Sequence, residues 1–216
     1  MKKIFKLFVA AALMAVSTSA MAQYVDTDNY MRYQVSFAAN RMTNTDGGGF
    51  DGLNPKGLTA GVMLGNSVSN RLPIFVEYGA NLHWSHSVDD VVGGGDVKFS
   101  YMNVAVPLNG VYKYTLNDKV AFSGHAGLNF KVNFMARYTD PADNKISFLS
   151  KDDMLGRDNR ANIFQLGGQI GAGVHLNHFY LGWQYQSDFM PFLKEDAWGT
   201  DKHKFHTNYI TLGYTL

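Results

Sequence analysis

Residues 120–137, VAFSGHAGLNFKVNFMAR, alternate in character along their whole length. Val120, Phe122, Gly124, Ala126, Leu128, Phe130, Val132, Phe134 and Ala136 share one parity, while His125, Asn129, Lys131, Asn133 and Arg137 share the other. Successive side chains leave a β-strand in opposite directions, so a sustained two-residue period predicts a strand with unlike faces. A helix would scatter His125, Asn129 and Lys131 around its cylinder and leave no continuous apolar stripe. The segment is also much longer than the ~5 or 6 residues usual for strands of soluble sheets. It is long enough to cross a bilayer at a tilt, for which ~9 to 11 residues suffice.

Seven other segments carry the same pattern: residues 30–40, 57–65, 71–85, 97–116, 161–176, 179–186 and 204–216. Their connections run long, short, long, short, long, short, long. Eight antiparallel strands with both termini beside the short turns match the threading of bacterial outer-membrane barrels, whose turns and termini are periplasmic and whose long loops are extracellular. The expected fold is therefore all-β, an eight-stranded antiparallel up-and-down transmembrane β-barrel. A soluble carrier barrel would turn its large apolar residues inward around a ligand. Here Phe, Leu, Val and Trp fall on one face and Gly, Ser, Gln and Asn on the other, which is inside out for such a carrier. Pro107 and Gly110 predict a bulge or bend in the fourth strand.

The first residues, MKKIFKLFVAAALMAVSTSAMAQ, place Lys2, Lys3 and Lys6 before an apolar stretch at 7–16 and end on Ala20-Met21-Ala22. This is the pattern of a cleaved export signal, giving a signal peptide at 1–22 and a barrel domain at 23–216. Three lysines leave with the signal, so 16 basic residues face 18 acidic ones in the remainder, and nothing in that balance favours nucleic acid. The absence of cysteine excludes a disulfide framework and any thiolate chemistry.

The last residues, NYITLGYTL, put Ile210, Leu212, Tyr214 and Leu216 on one face. They resemble the terminal-strand signal read by the outer-membrane assembly machinery, with Leu216 where a terminal aromatic is usual. The segment YMNVAVPLNGVYKYTLND, residues 101–118, together with the strand after it, resembles the central hairpin of the small outer-membrane β-barrel protein families common in Bacteroidetes. Those families usually show a leucine, an acid, an isoleucine and a proline where Met102, Asn103, Val104 and Ala105 stand here. The resemblance implies an outer-membrane location in a Gram-negative bacterium and implies no activity. Expected partners are outer-membrane lipids, including lipopolysaccharide, and the assembly machinery; the barrel is expected to be a monomer.

The expected lumen core is polar: Glu77, Lys131, Arg32, His125, Gln34, Asn129 and Gln165. An eight-stranded barrel is only wide enough for its own side chains to fill, so a plugged lumen is expected, not a porin. As the only acid on a mid-strand inward face, Glu77 needs a cation; counting register through the hairpins selects Lys131, with Arg32 as substitute. Leu128, Phe130, Val132, Ile210, Leu212 and Tyr214 are expected to face lipid. Aromatic belts are expected from Tyr33, Tyr112 or Tyr114 and Tyr214 at the periplasmic border, and from Trp84 and Phe134 at the external one. No catalytic residue, metal ligand or cofactor site is assigned. His83 with Ser85 or Ser100 is the nearest approach to the rim dyad of a leaflet enzyme that modifies lipid acyl chains. Asp89, Asp90, Asp96, Asp140, Asp143, Asp152, Asp153 and Asp158 lack the EF-hand spacing and read as solvated loop charge. The glycine runs at 47–49 and 93–95 lack the Lys-Ser/Thr of a phosphate loop.

Overall fold

A computed structural model describes residues 29–43, 54–69, 71–91, 95–149, 161–192 and 203–216. The export segment, the glycine run 47–49 and Asp152, Asp153 and Asp158 lie outside the described residues. Among the described residues nine strands form in chain order: β1 (Tyr30–Thr43), β2 (Lys56–Ser67), β3 (Ile74–Val91), β4 (Gly95–Asn117), β5 (Val120–Thr139), β6 (Lys145–Ser147), β7 (Phe164–Leu176), β8 (Phe179–Asp188) and β9 (Lys204–Thr215). All pairings are antiparallel. The eight long strands close into a ring in the order β1-β2-β3-β4-β5-β7-β8-β9, and β9 returns to β1. The short β6 pairs with Arg137–Thr139 of β5, above the stretch where β7 pairs with Val120–Val132, so it extends the wall towards the loop end.

Turn chemistry explains the short connections. Between β4 and β5, the Asn117 carboxamide oxygen accepts from the amides of Lys119 and Val120, both at 2.9 Å. Asn177, between β7 and β8, has φ 53°, a left-handed value that Asn tolerates and that a two-residue hairpin loop favours. Both ends of the chain's ring, Tyr30 and Leu216, lie with these turns; Leu216 donates its amide to the Met31 carbonyl at 2.8 Å.

The alternation sorts side chains as an inside-out barrel. Val35, Phe37, Leu58, Leu82, Trp84, Phe130, Trp183, Ile210 and Leu212 are exposed on the outer wall, whereas Arg32, Ser36, Glu77, Asn109, Gln169 and Thr211 are buried within. Trp183, in mid-strand, faces Ala172 and Ile210 across its neighbours and is itself outward.

Besides the short β6 within the segment read as a loop, the strands differ from the sequence reading at the β3–β4 hairpin, at Pro107 and near Phe134. The β3–β4 hairpin pairs as far as Val91 with Gly95, so residues 86–91 and 95–96, with Asp89, Asp90 and Asp96, are strand, not loop. Pro107 interrupts the β3 ladder, where 79 and 80 lack partners on β4, yet register is the same on either side: Tyr78 faces Leu108 and Asn81 faces Ala105. Besides a one-residue irregularity at Leu116 next to the turn, the bulge lies on β5. Met102 faces Met135 and Asn103 faces Asn133, which leaves Phe134 as the extra residue and reverses parity beyond it. Ala136 is therefore buried and Arg137 is exposed, against the parity that would have sent Arg137 inward.

Candidate functional site

The interior is filled from end to end by three layers of side chains. At the turn end, Arg32 from β1 and Glu77 from β3 form an ion pair at 2.8 Å, each almost wholly buried. Glu77 also accepts the Tyr30 hydroxyl at 2.8 Å and the Asn109 amide at 3.3 Å. The guanidinium lies 4.0 Å from the Tyr180 ring centroid and donates through Nε to Gln34 at 3.1 Å. A buried carboxylate and guanidinium need this many partners, because each lone pair or N–H left unmatched away from water is costly.

The middle layer is built from carboxamides, hydroxyls and one imidazole. Gln184 donates to Gln169 at 3.0 Å, Gln169 to Asn109 at 2.6 Å, and Gln34 to Asn81 at 3.1 Å. His125 Nε2 is 3.3 Å from the Gln184 carbonyl oxygen, and its ring lies so close to the wall that a Cβ on Gly171 would stand 2.6 Å from it. Ser36 and Thr211 close the layer across the β1–β9 seam at 2.8 Å. Nearer the loop end, Asp188 accepts from Lys131 at 2.6 Å and from Gln165 and Gln186, each at 3.2 Å, while Asn129 donates to Gln186 at 2.6 Å.

Glu77 does not pair with Lys131. Its partner is Arg32, the substitute, and Lys131 belongs to Asp188. Two causes lie in the strands. Glu77 faces Asn109, four residues from Ala105, because β3 and β4 continue through their charged tips; and Ala105 faces Lys131. Moreover β8 continues two residues past Gln186, so Asp188 is a second inward acid, 2% exposed.

Space left in the lumen is small. Two cavities of about 20 and 30 Å3 meet around Gln34, Asn81, Gln184 and Thr211; each has room for one or two waters and no more. The loop end is closed by an apolar cluster of Met42, Phe99, Tyr101, Ala136, Phe148, Ala161, Phe192 and Phe205. Tyr101 stacks on Phe205 at 5.1 Å and meets Phe192 edge-on at 5.4 Å, while its hydroxyl donates to Asn133 at 2.6 Å. Backbone bonds from Phe148 to Ala136, Ala161 to Phe148 and Phe192 to His203 fasten the cluster to the wall. No sequence period marked it, because Phe148 and Phe192 lie outside alternating strands.

The rim separates the residues of the supposed dyad. His83 and Ser85 are buried inside, with His83 Nδ1 2.8 Å from Thr59 Oγ1. Ser100 faces outward and pairs with His86, Oγ to Nδ1, at 2.9 Å. No carboxylate bonds to this His86–Ser100 pair among the described residues. At the tip of the β5–β6 hairpin, the Asp140 carboxylate accepts from the amides of Ala142 and Asn144 and from the Asn144 side chain at 2.8–3.0 Å, which holds its carboxyl below the usual carboxylate range. No group of metal-ligating residues converges among the described residues.

No family model matches the chain, and no curated protein matches it. Among solved structures it is similar to Ail, the attachment invasion locus protein of Yersinia pestis, bound to the heparin analogue sucrose octasulfate: 15% identity over 88% of this chain and 99% of that one, TM-score 0.46. It is also similar to the outer membrane enzyme PagL, at 12% identity over 84% and 98% with TM-score 0.47, and to the outer membrane protein OprG from Pseudomonas aeruginosa, at 14% over 87% and 95% with TM-score 0.44. At such identities no ligand or reaction passes from these proteins to this one.

Proposed function

We propose that the mature chain, residues 23–216 after loss of the signal at 1–22, is a monomeric integral protein of a Gram-negative outer membrane. In this reading its long loops are extracellular and its termini periplasmic. Its role is structural or binding, carried by the loop end, and its lumen is not a solute path. The observation that carries the reading is the combination of an apolar outer wall with an interior sealed by the Arg32–Glu77 layer and the Tyr101–Phe192–Phe205 cluster. An outer wall of this kind is compatible with lipid, and closure into a ring satisfies every strand edge there. Leu128, Phe130, Val132, Ile210, Leu212 and Tyr214 then face acyl chains, and the last strand, β9, supplies the signal to the assembly machinery.

Alkaline carbonate extraction and planar-bilayer recording test this together. The protein is expected to stay with the membrane and to give no large, long-lived openings; release into the soluble fraction, or frequent large openings, would overturn it. The competing reading, an enzyme acting on acyl chains of the outer leaflet, has one observation in its favour, the outward His86–Ser100 pair. Lipid analysis of a deletion strain separates the two: altered acylation favours the enzyme, and unchanged lipid with altered detergent sensitivity or adhesion favours the first reading.

A further inference from the structure

Above the apolar outer wall, four side chains on four adjacent strands form one row. Lys56 of β2 faces His86 of β3, His86 faces Ser100 of β4, and Ser100 faces Arg137 of β5, each in direct register. Lys56 and Arg137 are exposed, and His86 and Ser100 half-buried, on the outside of the barrel. Two residues nearer the turn end lies a second row, Leu58, Trp84, Met102 and Met135, again in direct register. The two rows are about 7 Å apart. Within that single step the outer wall changes from apolar to hydrogen-bond donating.

The four residue types in the upper row are an ammonium, an imidazole, a hydroxyl and a guanidinium. All can donate to an oxyanion, and among the described residues no carboxylate forms an ion pair with Lys56 or Arg137. The 2.9 Å contact between His86 and Ser100 holds the two central groups together between the flanking cations. Arg41 and His206 extend the donors round the wall: they face each other across the β1–β9 seam, with Arg41 two residues beyond Ala39, which faces Lys56. Asp96, the next exposed acid along β4, is four residues beyond Ser100, about 13 Å away.

Arg137 reaches the row only through the β5 bulge. In an unbroken strand it would share the inward parity of Asn129 and Lys131 and carry a further cation into the lumen. The extra residue Phe134 reverses that parity and sets Arg137 beside Ser100, while Phe134 itself joins the apolar wall at 50% exposure. Re-aiming a side chain is a known use of bulges near functional sites.

We propose that Lys56, His86, Ser100 and Arg137 bind the phosphorylated headgroup of a lipid in the leaflet at the loop end, whose acyl chains lie on Leu58, Trp84, Met102 and Phe134. A free phosphate would use the same donors but has no use for the apolar row one step below. Lys56 and Arg137 stand three inter-strand spacings apart, about 14 Å, so the row suits a glycolipid bearing two phosphoryl groups better than a headgroup with one. The proposal rests on the membrane placement given above.

The test titrates the full mature chain, folded in neutral detergent micelles, with diphosphoryl lipid A, with its dephosphorylated counterpart and with inorganic pyrophosphate, following intrinsic tryptophan fluorescence. Saturable binding of the diphosphorylated lipid alone is expected. Lys56→Gln with Arg137→Gln should weaken it at least tenfold, as expected when charge-assisted hydrogen bonds are removed, while Lys119→Gln at the turn end should leave it unchanged. Equal binding of the dephosphorylated lipid, unchanged affinity in the double variant, or pyrophosphate binding as tightly as the lipid would each overturn the proposal. The comparison of the two lipids needs no substitution, so it stands if the double variant fails to fold. Heat-modifiable migration in detergent gels, read in parallel, keeps the failures distinct. A folded barrel that ignores the phosphates sinks the headgroup site alone, whereas release of the native chain from membranes by carbonate sinks the placement beneath it.

Discussion

Replacing Glu77 with Ala removes three accepted bonds at once, from Arg32 at 2.8 Å, Tyr30 at 2.8 Å and Asn109 at 3.3 Å, and strands a guanidinium in the lumen. Breaking a buried pair from one side costs about 3 to 5 kcal/mol. The lower end applies here, because Arg32 keeps its Nε bond to Gln34 and the face of the Tyr180 ring at 4.0 Å, and a desolvated cation–π contact contributes about 2 kcal/mol or more. We therefore expect Glu77→Ala to cost about 3 kcal/mol, and Glu77→Met with Arg32→Met to cost less than about 1 kcal/mol, since apolar residues of similar volume replace buried ion pairs with little loss. Equilibrium urea unfolding in detergent micelles, followed by tryptophan fluorescence and by gel mobility, reads both. Glu77→Ala combined with Lys131→Ala should be additive within about 0.5 kcal/mol, as sites without shared partners are. A near-neutral Glu77→Ala, or a coupling to Lys131 as large as that to Arg32, would refute the pairing and with it the register of β3.

Other outcomes rest on single positions. Leu128→Arg, at an outward mid-strand site, should cost about 2 to 4 kcal/mol in a bilayer; a neutral result would mean that the outer wall does not face lipid. A Cβ on Gly127 would meet the Leu108 carbonyl oxygen at 2.0 Å, whereas one on Gly124 meets nothing within 4 Å, so Gly127→Ala should destabilise by about 1 to 3 kcal/mol and Gly124→Ala hardly at all; equal effects in urea unfolding would contradict the local backbone. Phe192→Ser with Phe205→Ser should raise the rate of brief openings in planar bilayers above that of the unmodified protein, and an unchanged record would show that the aromatic cluster is not the seal. Asp140 is stabilised in its ionised form, so its contribution to the 140–144 turn is present at neutral pH and lost as pH falls through its depressed pKa. Exchange of the Asn144 amide hydrogen, corrected for intrinsic rate, should then accelerate; constant protection into strong acid would exclude the carboxylate as its anchor.

The sequence made the barrel readable wherever lipid is expected to impose alternation. Inward Arg32, Gln34 and Asn129 and outward Leu128 and Ile210 follow from parity alone, because one wrong residue in such a strand is costly on either face. Legibility stopped at the strand ends. Residues 86–91 and 95–96 pair as strand but carry charge, since a wall beyond the apolar belt has no reason to alternate. Ser187 and Asp188 look like a polar loop for the same reason, which hid the acid that Lys131 requires. Pro107 drew attention as a chain irregularity, yet it only removes one donor and leaves two positions of β3 unpaired. The bulge at Phe134 has no comparable marker: an extra apolar residue among Asn133, Phe134 and Met135 leaves composition unchanged and shifts only the facing of the residues from Met135 onward.

The β1–β9 seam sets the order in which the barrel can form. Ser36 and Thr211, hydrogen-bonded at 2.8 Å, are 175 residues apart, and twelve consecutive pairs from Arg32 to Thr43 join the first strand to the last. Each hairpin is local and can form early, but the seam cannot begin until β9 is available, and contacts so distant in sequence are the slowest to make. Until then both β1 and β9 present open edges, whose amides and carbonyls would find no partner in the hydrocarbon of the proposed membrane. Half of the Arg32–Glu77–Tyr180 layer also waits, because Tyr180 reaches Arg32 only through the closing strands. In the proposed membrane setting the Arg32–Glu77 pair can form within β1–β3, whereas the wall and the Tyr180 side of the lumen are expected to be completed only when the β1–β9 seam closes.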